Sequence, residues 1–286
     1  MKTNKLINIY LTVCEIYRTT LAWEVQRFSN NFRPKFTDEE AITCYLFGII
    51  ERRLTVKDVH HFICNYWGDW FPDLPTYKQF NKRITSLAPA FELLAKVLMQ
   101  QQFDAELSDL LTDSMPVVVA KAGRSNIARA ASDLCDKGYC ASKKMYFYGV
   151  KLHGLCQSQY HKIPKMHYFR VAPASHGDIT VAKDILQTAE NINVYGDKAF
   201  ADASWQAELK MRNVTLYTPI KLKKGQKTLD AADKLWSRAV SSFRQPIESF
   251  FAWLQDKTQI QFASKIRSAN GLIAFLFARI AAVIFI

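Results

Sequence analysis

From Leu6 to Phe28 and again from Asp38 to Glu51, apolar residues return every three or four positions, the spacing of a helix with one buried face. Thr37 and Glu40 bracket the start of the second run as a capping box. The same spacing predicts short helices over Val56–Tyr66 and Thr76–Ile84, parted by the aromatic, proline-containing turn Trp67–Pro75, and a longer one over Phe91–Phe103. The N-terminal third is therefore expected to be all helical, with a boundary near Phe103 to Leu107.

Beyond that boundary the period changes. Leu110–Ser114, Met145–Cys156 and Met166–Ala172 read as strands, the last two joined as a hairpin across Gln157–Lys165. Ile179–Glu190 then reads as a helix, Asn193–Gly196 as a short buried strand, Ala201–Met211 as a helix and Thr215–Ile220 as a strand, with mostly helix from Leu229 onward. An antiparallel trio running into alternating strand and helix predicts an α/β fold, a mixed sheet covered by helices on both faces. The expected domains are 1–105, an N-terminal helical domain, and 106–286, the sheet domain with the C-terminal helices.

Composition narrows the class. With 286 residues and 49% hydrophobic content the chain has material for a real core, and 38 Lys and Arg against 26 Asp and Glu leave a net charge of +12. Such an excess on a folded protein points to a polyanion, nucleic acid or an anionic membrane surface, and the basic residues are not gathered on one amphipathic helix as a membrane surface would favour. The apolar stretch Leu272–Ile286 is interrupted by Arg279 and is too short to span a bilayer, so it reads as a buried helix. No secretory signal is visible at the N-terminus, and the six scattered cysteines suit reduced, buried thiols in a cytoplasmic protein.

Three acidic residues are candidates for chemistry: Asp113 closing the first strand, Asp197 after Asn193–Gly196, and Glu248 at the start of a helix beside the apolar face Ile247, Phe250, Phe251 and Leu254. An aspartate after a strand is commonly only a turn residue or helix cap. Three carboxylates together are the hard-oxygen donors that divalent cations prefer, and a pair of such ions stabilises both the attacking and the leaving oxygen of a phosphoryl transfer. Cys135, Cys140, His153 and Cys156 make a weaker zinc candidate, without a paired Cys-x-x-Cys knuckle.

Basic residues form further candidate sites. Lys221, Lys223, Lys224 and Lys227 form a loop before the Glu248 helix, and Lys121, Arg124, Lys143, Lys144 and Lys151 a second zone around the strands. In Thr76–Arg83, preceded by a helix and a turn, Lys78, Gln79, Asn81 and Arg83 suit the reading helix of a helix-turn-helix, or else the polar face of a surface helix. His60, His61 and the aromatics Tyr66, Trp67, Trp70 and Phe71 read as packing or helix surface.

The segments Thr112–Pro116, Tyr195–Phe200 and Arg244–Phe251 resemble, in order, the three catalytic motifs of bacterial insertion-sequence DDE transposases, with insertion-sequence family nine-eighty-two the most similar group. The resemblance runs over nearly the whole chain. It implies an RNase H-like catalytic domain, Asp113, Asp197 and Glu248 holding two Mg²⁺ ions (or Mn²⁺), and Arg244 as the arginine four residues before the glutamate. It also implies action on double-stranded DNA, both transposon ends and target, by a homodimer among the nucleoid DNA of a bacterial cytoplasm. The tyrosine that relatives carry seven residues before the glutamate is Ser241 here, and their lysine seven after it is Gln255, with Lys257 a weak substitute. The rival readings are a metal-dependent nuclease without joining activity and an inactive, transposase-derived DNA-binding protein.

Overall fold

A computed structural model describes residues 2–26, 34–104, 108–141, 143–159, 162–222 and 224–286. In chain order, among the described residues, helices α1 (Lys2–Thr19), α2 (Asp38–Ile50), α3 (Val56–Trp67), α4 (Tyr77–Ser86) and α5 (Ala88–Gln102) precede strands β1 (Asp109–Lys121), β2 (Asp136–Cys140), β3 (Met145–Gln157) and β4 (Lys165–Pro173). Then follow α6 (Asp178–Ile185), β5 (Asn193–Tyr195), α7 (Ala203–Lys210), β6 (Thr215–Tyr217), α8 (Ala231–Thr258) and α9 (Ala269–Ile284). Two compact units result, one of Met1–Gln101, Ala130–Asp133 and Leu254–Ile286, the other of Gln102–Arg129 and Leu134–Trp253. The C-terminal helix thus packs with the N-terminal helices, whereas the 106–286 expectation grouped it with the sheet. The boundary residues 105–107 lie outside the described residues.

In the helical unit, the capping box forms as the sequence suggests: Glu40 N–H donates to Thr37 Oγ1 at 3.2 Å and Thr37 N–H to Glu40 Oε2 at 2.6 Å. Helix α1 stops at Thr19, short of the expected Phe28, where the Thr19 hydroxyl donates back to Glu15 O at 3.0 Å and two consecutive β-branched residues weaken the helix. The rest of that expected helix falls partly on residues 27–33, outside the described residues. Helix α9 is buried along nearly its whole length, and its Arg279 donates to Thr258 O at 3.0 Å, Phe275 O at 3.1 Å and Leu54 O at 2.6 Å. No helix among the described residues is long and apolar enough to cross a membrane.

The sheet unit holds a mixed sheet in the order β2-β3-β1-β5-β6, with β4 sharing an edge of β3 with β2. Strand β2 pairs with Met145–Gly149 and β4 with Val150–Gln157, both antiparallel, while β1–β5 and β5–β6 are parallel. Strand β2 escapes the sequence pattern because Asp136, Lys137 and Gly138 hide its alternation, and it is the pairing with β3 that holds it extended.

Alternation decides which helices cover which face. Leu110, Leu155, Val194 and Leu216 join Ala182 and Leu186 from α6 and its following turn, and Trp205 and Leu209 from α7, in one core. The opposite face receives α8. There Phe169 of β4 lies 6.1 Å from Phe250 and 6.5 Å from Phe251, and Tyr195 of β5 stacks on Phe243 at 4.1 Å. Burying Ile247, Phe250 and Phe251 contributes roughly 1.5–3 kcal/mol each.

Candidate active site

Strand register places the two aspartates. Strands β1 and β5 run parallel and pair from Asp109–Asn193 to Leu111–Tyr195, then part. Asp113 and Asp197 each lie two residues past that last pair, Asp113 within β1 on the α8 side of the sheet and Asp197 just beyond the end of β5. Strand β1 itself runs on to Lys121, so Asp113 lies inside it rather than closing it: Met115 and Val117–Val119 carry the apolar alternation past Pro116. Pro116 is tolerated because β5 pairs only with the first three residues of β1, leaving that edge open. Gly196 lets the β5 end approach β1, since a Cβ there would stand 3.2 Å from Thr112 Cγ2 and 3.0 Å from Phe200.

Helix α8 brings the glutamate. It begins at Ala231, seventeen residues before Glu248, because Trp236, Val240 and Phe243 extend the same apolar stripe backwards; Glu248 is therefore mid-helix, not at a helix start as the sequence suggested. Pro246 sits within it, between Arg244 and Glu248, and has no N–H to donate to the Ser242 carbonyl. The helix can lie close to β3 because Gly154, the residue opposite Asp113, has no side chain: a Cβ there would meet Phe251 at 3.1 Å and Phe169 at 2.8 Å.

Arg244 joins the set. Its guanidinium donates to Asp113 Oδ2 at 2.8 Å and, through its other terminal nitrogen, to Glu248 Oε1. Arg244 is mostly buried and its Nε has no hydrogen-bond partner. Burial raises the pKa of Asp113 above the ordinary aspartate value; Arg244 and the Ser114 N–H, which donates to Asp113 Oδ1 at 2.8 Å, pull it down, and the charge of Asp197 pushes it up. Asp197 is exposed, accepts from Lys198 N–H at 2.6 Å and caps a short 3-10 turn.

The donors are all carboxylate oxygens, suited to a hard divalent cation, and Arg244 pairs with two of the three, Asp113 and Glu248. Among the described residues, no three His, Cys, Asp or Glu side chains are gathered closely enough to form a ready ion site. Arg244 occupies the cationic position between two of the three, so an ion bound there would compete with the guanidinium for the same carboxylates.

On the opposite face lies a polar cluster that the sequence reading missed. Asp178 accepts from Ser114 Oγ at 3.0 Å and Lys151 Nζ at 3.0 Å, with the buried His153 Nε2 4.0 Å away and otherwise unpartnered. Burial lowers the His153 pKa well below the ordinary histidine value. The available signal was an aspartate in the first turn of a helix opposite two basic residues two apart on one strand.

A family profile described as Transposase DDE domain matches residues 105–285, more than half of the chain. The chain belongs to that family. A search of curated proteins and a search of solved structures each found no match. The match is consistent with an RNase H-like reading of the sheet, and it covers Asp113, Asp197, Arg244 and Glu248.

Several other candidates in this DDE transposase chain fall elsewhere. Lys78 and Asn81 are exposed on α4, but Arg83 is engaged: it donates to Asp38 through Nε at 2.5 Å and again through a terminal nitrogen, tying α4 to the start of α2 rather than presenting a base reader. Lys143 and Lys144 are exposed in the turn between β2 and β3, whereas Lys151 is held by Asp178. Lys221 is exposed and donates to Ala201 O at 3.0 Å, Lys224 is exposed, and Lys223 lies outside the described residues. Gln255 accepts from Gln261 N–H at 2.9 Å, and Lys257 lies 3.5 Å from Asp256. Trp67 packs edge-on against Phe47 and Phe71 is buried, as packing predicts, while Tyr66 and Trp70 are exposed. The cysteines are free and the zinc candidate is not assembled among the described residues.

Proposed function

We propose that this chain is a DDE transposase of the insertion-sequence family nine-eighty-two type, cleaving DNA at the terminal inverted repeats of an insertion sequence and joining the freed ends to target DNA. The observation that carries the reading is that one guanidinium bridges Asp113 and Glu248, residues 135 apart in sequence, while Asp197 stands close enough to raise the Asp113 pKa. Such convergence of carboxylates with a perturbed member is typical of functional sites.

Asp113, Asp197 and Glu248 are the residues that would hold divalent cations, Mg²⁺ or Mn²⁺. When bound, such ions activate the attacking oxygen and stabilise the leaving one. The protein supplies the rest. Half-buried Asp113, its side chain 25% exposed, keeps one carboxylate partly shielded from water, which strengthens its charge interactions. The apolar stack of Tyr195 on Phe243 and the packing of Phe251 over Gly154 set the depth of α8, and with it Glu248 and Arg244. Arg244, released from a carboxylate, is in place to hold a phosphate oxygen by two parallel donors.

Water first cuts one strand, leaving a 3′-hydroxyl; that oxygen then attacks a target phosphorus and displaces another 3′-oxygen. Both steps exchange one P–O bond for another, so no covalent bond to the protein is required. The helical unit would recognise the inverted repeat through exposed groups such as Lys78 and Asn81, and a homodimer would hold the two ends together. Asp113→Ala tests the assignment in an oligonucleotide assay with the DNA ends flanking the gene. Strand cleavage in Mg²⁺ is expected to fall more than a hundredfold, beyond the effect of losing an outer-shell partner, while end binding stays measurable. Cleavage at the wild-type rate would remove the assignment.

A further inference from the structure

The hairpin of β2 and β3 is buried on one side, and on the other its tip is exposed while Tyr148, opposite Lys137, is buried. Its inner side packs Phe147 and Cys140 with Val118 and Ala174, and Gly138 lies so close to Ala174 that a Cβ would come within 2.2 Å of the Ala174 carbonyl oxygen. On the outer side Tyr139 and Tyr146 face each other across the ladder, 48% and 54% exposed, with ring centroids 5.0 Å apart and planes tilted by 54°. Lys137, on the same side two residues along, places its ammonium 4.8 Å from the Tyr146 ring centre and donates to Asn126 at 2.7 Å. The turn that joins the strands is closed by Lys144 N–H to Ala141 O at 3.2 Å and carries exposed Lys143 and Lys144.

Two features make this more than a surface pair. Strand β3 alternates without a bulge of its own, so Tyr146 shares the face of Gly154 and hence of Asp113; eight residues at about 3.3 Å each put the tyrosines roughly 25 Å along the strand from that point. The rings are also tilted rather than stacked on each other, which leaves aromatic surface unsatisfied, and lysines surround them, while Asp136 alternates onto the inner side with Gly138 and Cys140 and accepts from Ser175 N–H at 2.8 Å. Exposed aromatic rings interleaved with cations on a rigid sheet face are the arrangement that stacks nucleobases and holds the adjoining phosphates.

We infer that Tyr139 and Tyr146 form a stacking platform for an unpaired nucleobase of the DNA, with Lys143 and Lys144 holding the phosphates beside it. The inference rests on the reading of DNA as substrate and adds which form of DNA the hairpin takes: a frayed or single-stranded segment, not closed duplex. Stacking accepts any base, so the platform favours strand opening over sequence.

The test uses the full chain and two probes, a blunt duplex and the same duplex with a short thymidine overhang carrying 2-aminopurine at its first unpaired position. Wild type is expected to bind the overhang probe more tightly and to quench its fluorescence. Tyr139→Ala with Tyr146→Ala is expected to weaken overhang binding at least about tenfold and abolish the quench, leaving blunt-duplex affinity unchanged. Tyr139→Leu with Tyr146→Leu, which keeps apolar cross-strand packing but has no ring, should match the alanine pair, and the phenylalanine pair should match wild type. Lys143→Ala with Lys144→Ala should weaken both probes and flatten the salt dependence. If wild type binds both probes and the tyrosine variants behave as wild type, the platform is overturned and the DNA reading stands; if wild type binds neither probe, both fall.

Discussion

Two arginines show how differently the two units treat a buried charge. Arg279 in the helical unit is fully buried and forms no ion pair with a carboxylate among the described residues; three backbone carbonyls take its protons, Tyr45 Oη stands 3.4 Å away, and its guanidinium lies 3.5 Å from the Phe275 ring centre. Arg244 in the sheet unit holds two carboxylates yet leaves its Nε without a partner. The first pattern satisfies a cation with neutral dipoles fixed by the fold, so nothing is left to exchange. The second pairs the cation with two ionisable side chains and leaves one of its donors unused, the arrangement that the proposed exchange of the guanidinium for a metal ion would need. His153 Nε2 and His167 Nδ1, also buried and unpartnered, belong to the same unit as Arg244. Unsatisfied polar groups cost stability, and of the four such buried side-chain atoms among the described residues all but Thr43 Oγ1 lie in the sheet unit.

Substitutions can pull this contrast apart. Arg279→Leu strands the carbonyls of Thr258 and Leu54 in apolar surroundings, so the loss should be about 3 kcal/mol in urea denaturation, with ion binding by the intact fraction unchanged. Arg244→Gln should do the reverse. Little stability is lost, but removing the competing cation should tighten Mn²⁺ binding about tenfold by titration calorimetry, while cleavage slows. The same variant shifts the pH profile. Burial raises the Asp113 pKa, so the ionised form needed for cleavage is reached only above the ordinary aspartate range, and taking away the lowering influence of Arg244 should move the acid limb of the cleavage rate still higher. The smallest effect concerns His153. A histidine lowered by burial stabilises the fold above its unfolded pKa of about 6.5 and loses that contribution as pH falls; His153→Gln should therefore lose about 1 kcal/mol less than wild type between pH 7 and pH 5.

How much of this was legible in the sequence varies with what held each element in place. Helices α2 and α3 were readable to within a residue because periodicity and side-chain caps, both local, define them. The first strand was cut short at Ser114 because Pro116 reads as a breaker; only the pairing shows that β5 leaves that edge open. Strand β2 was invisible for the same reason, being extended by its partner rather than by its own residues. Arg279 was recognised as an interruption of an apolar run, but its carbonyl cage comes from Leu54 and Thr258, far away in sequence. At the candidate site, the resemblance to the family's three motifs named Asp113, Asp197, Arg244 and Glu248, yet nothing in it shows that Arg244 spans two of the carboxylates, or that Arg83 and Lys151 are committed to Asp38 and Asp178. Those are facts of the assembled sheet and helices.

The central claim is that Asp113, Asp197 and Glu248 act as one chemical unit. It is tested most directly by measuring Mg²⁺-dependent single-turnover cleavage of the DNA ends flanking the gene with Asp113→Asn, Asp197→Asn, Glu248→Gln and the triple variant. Groups that work together lose their effect together, so each single change should be about as damaging as all three. Independent, multiplying losses, or one single variant that cleaves like wild type, would contradict it.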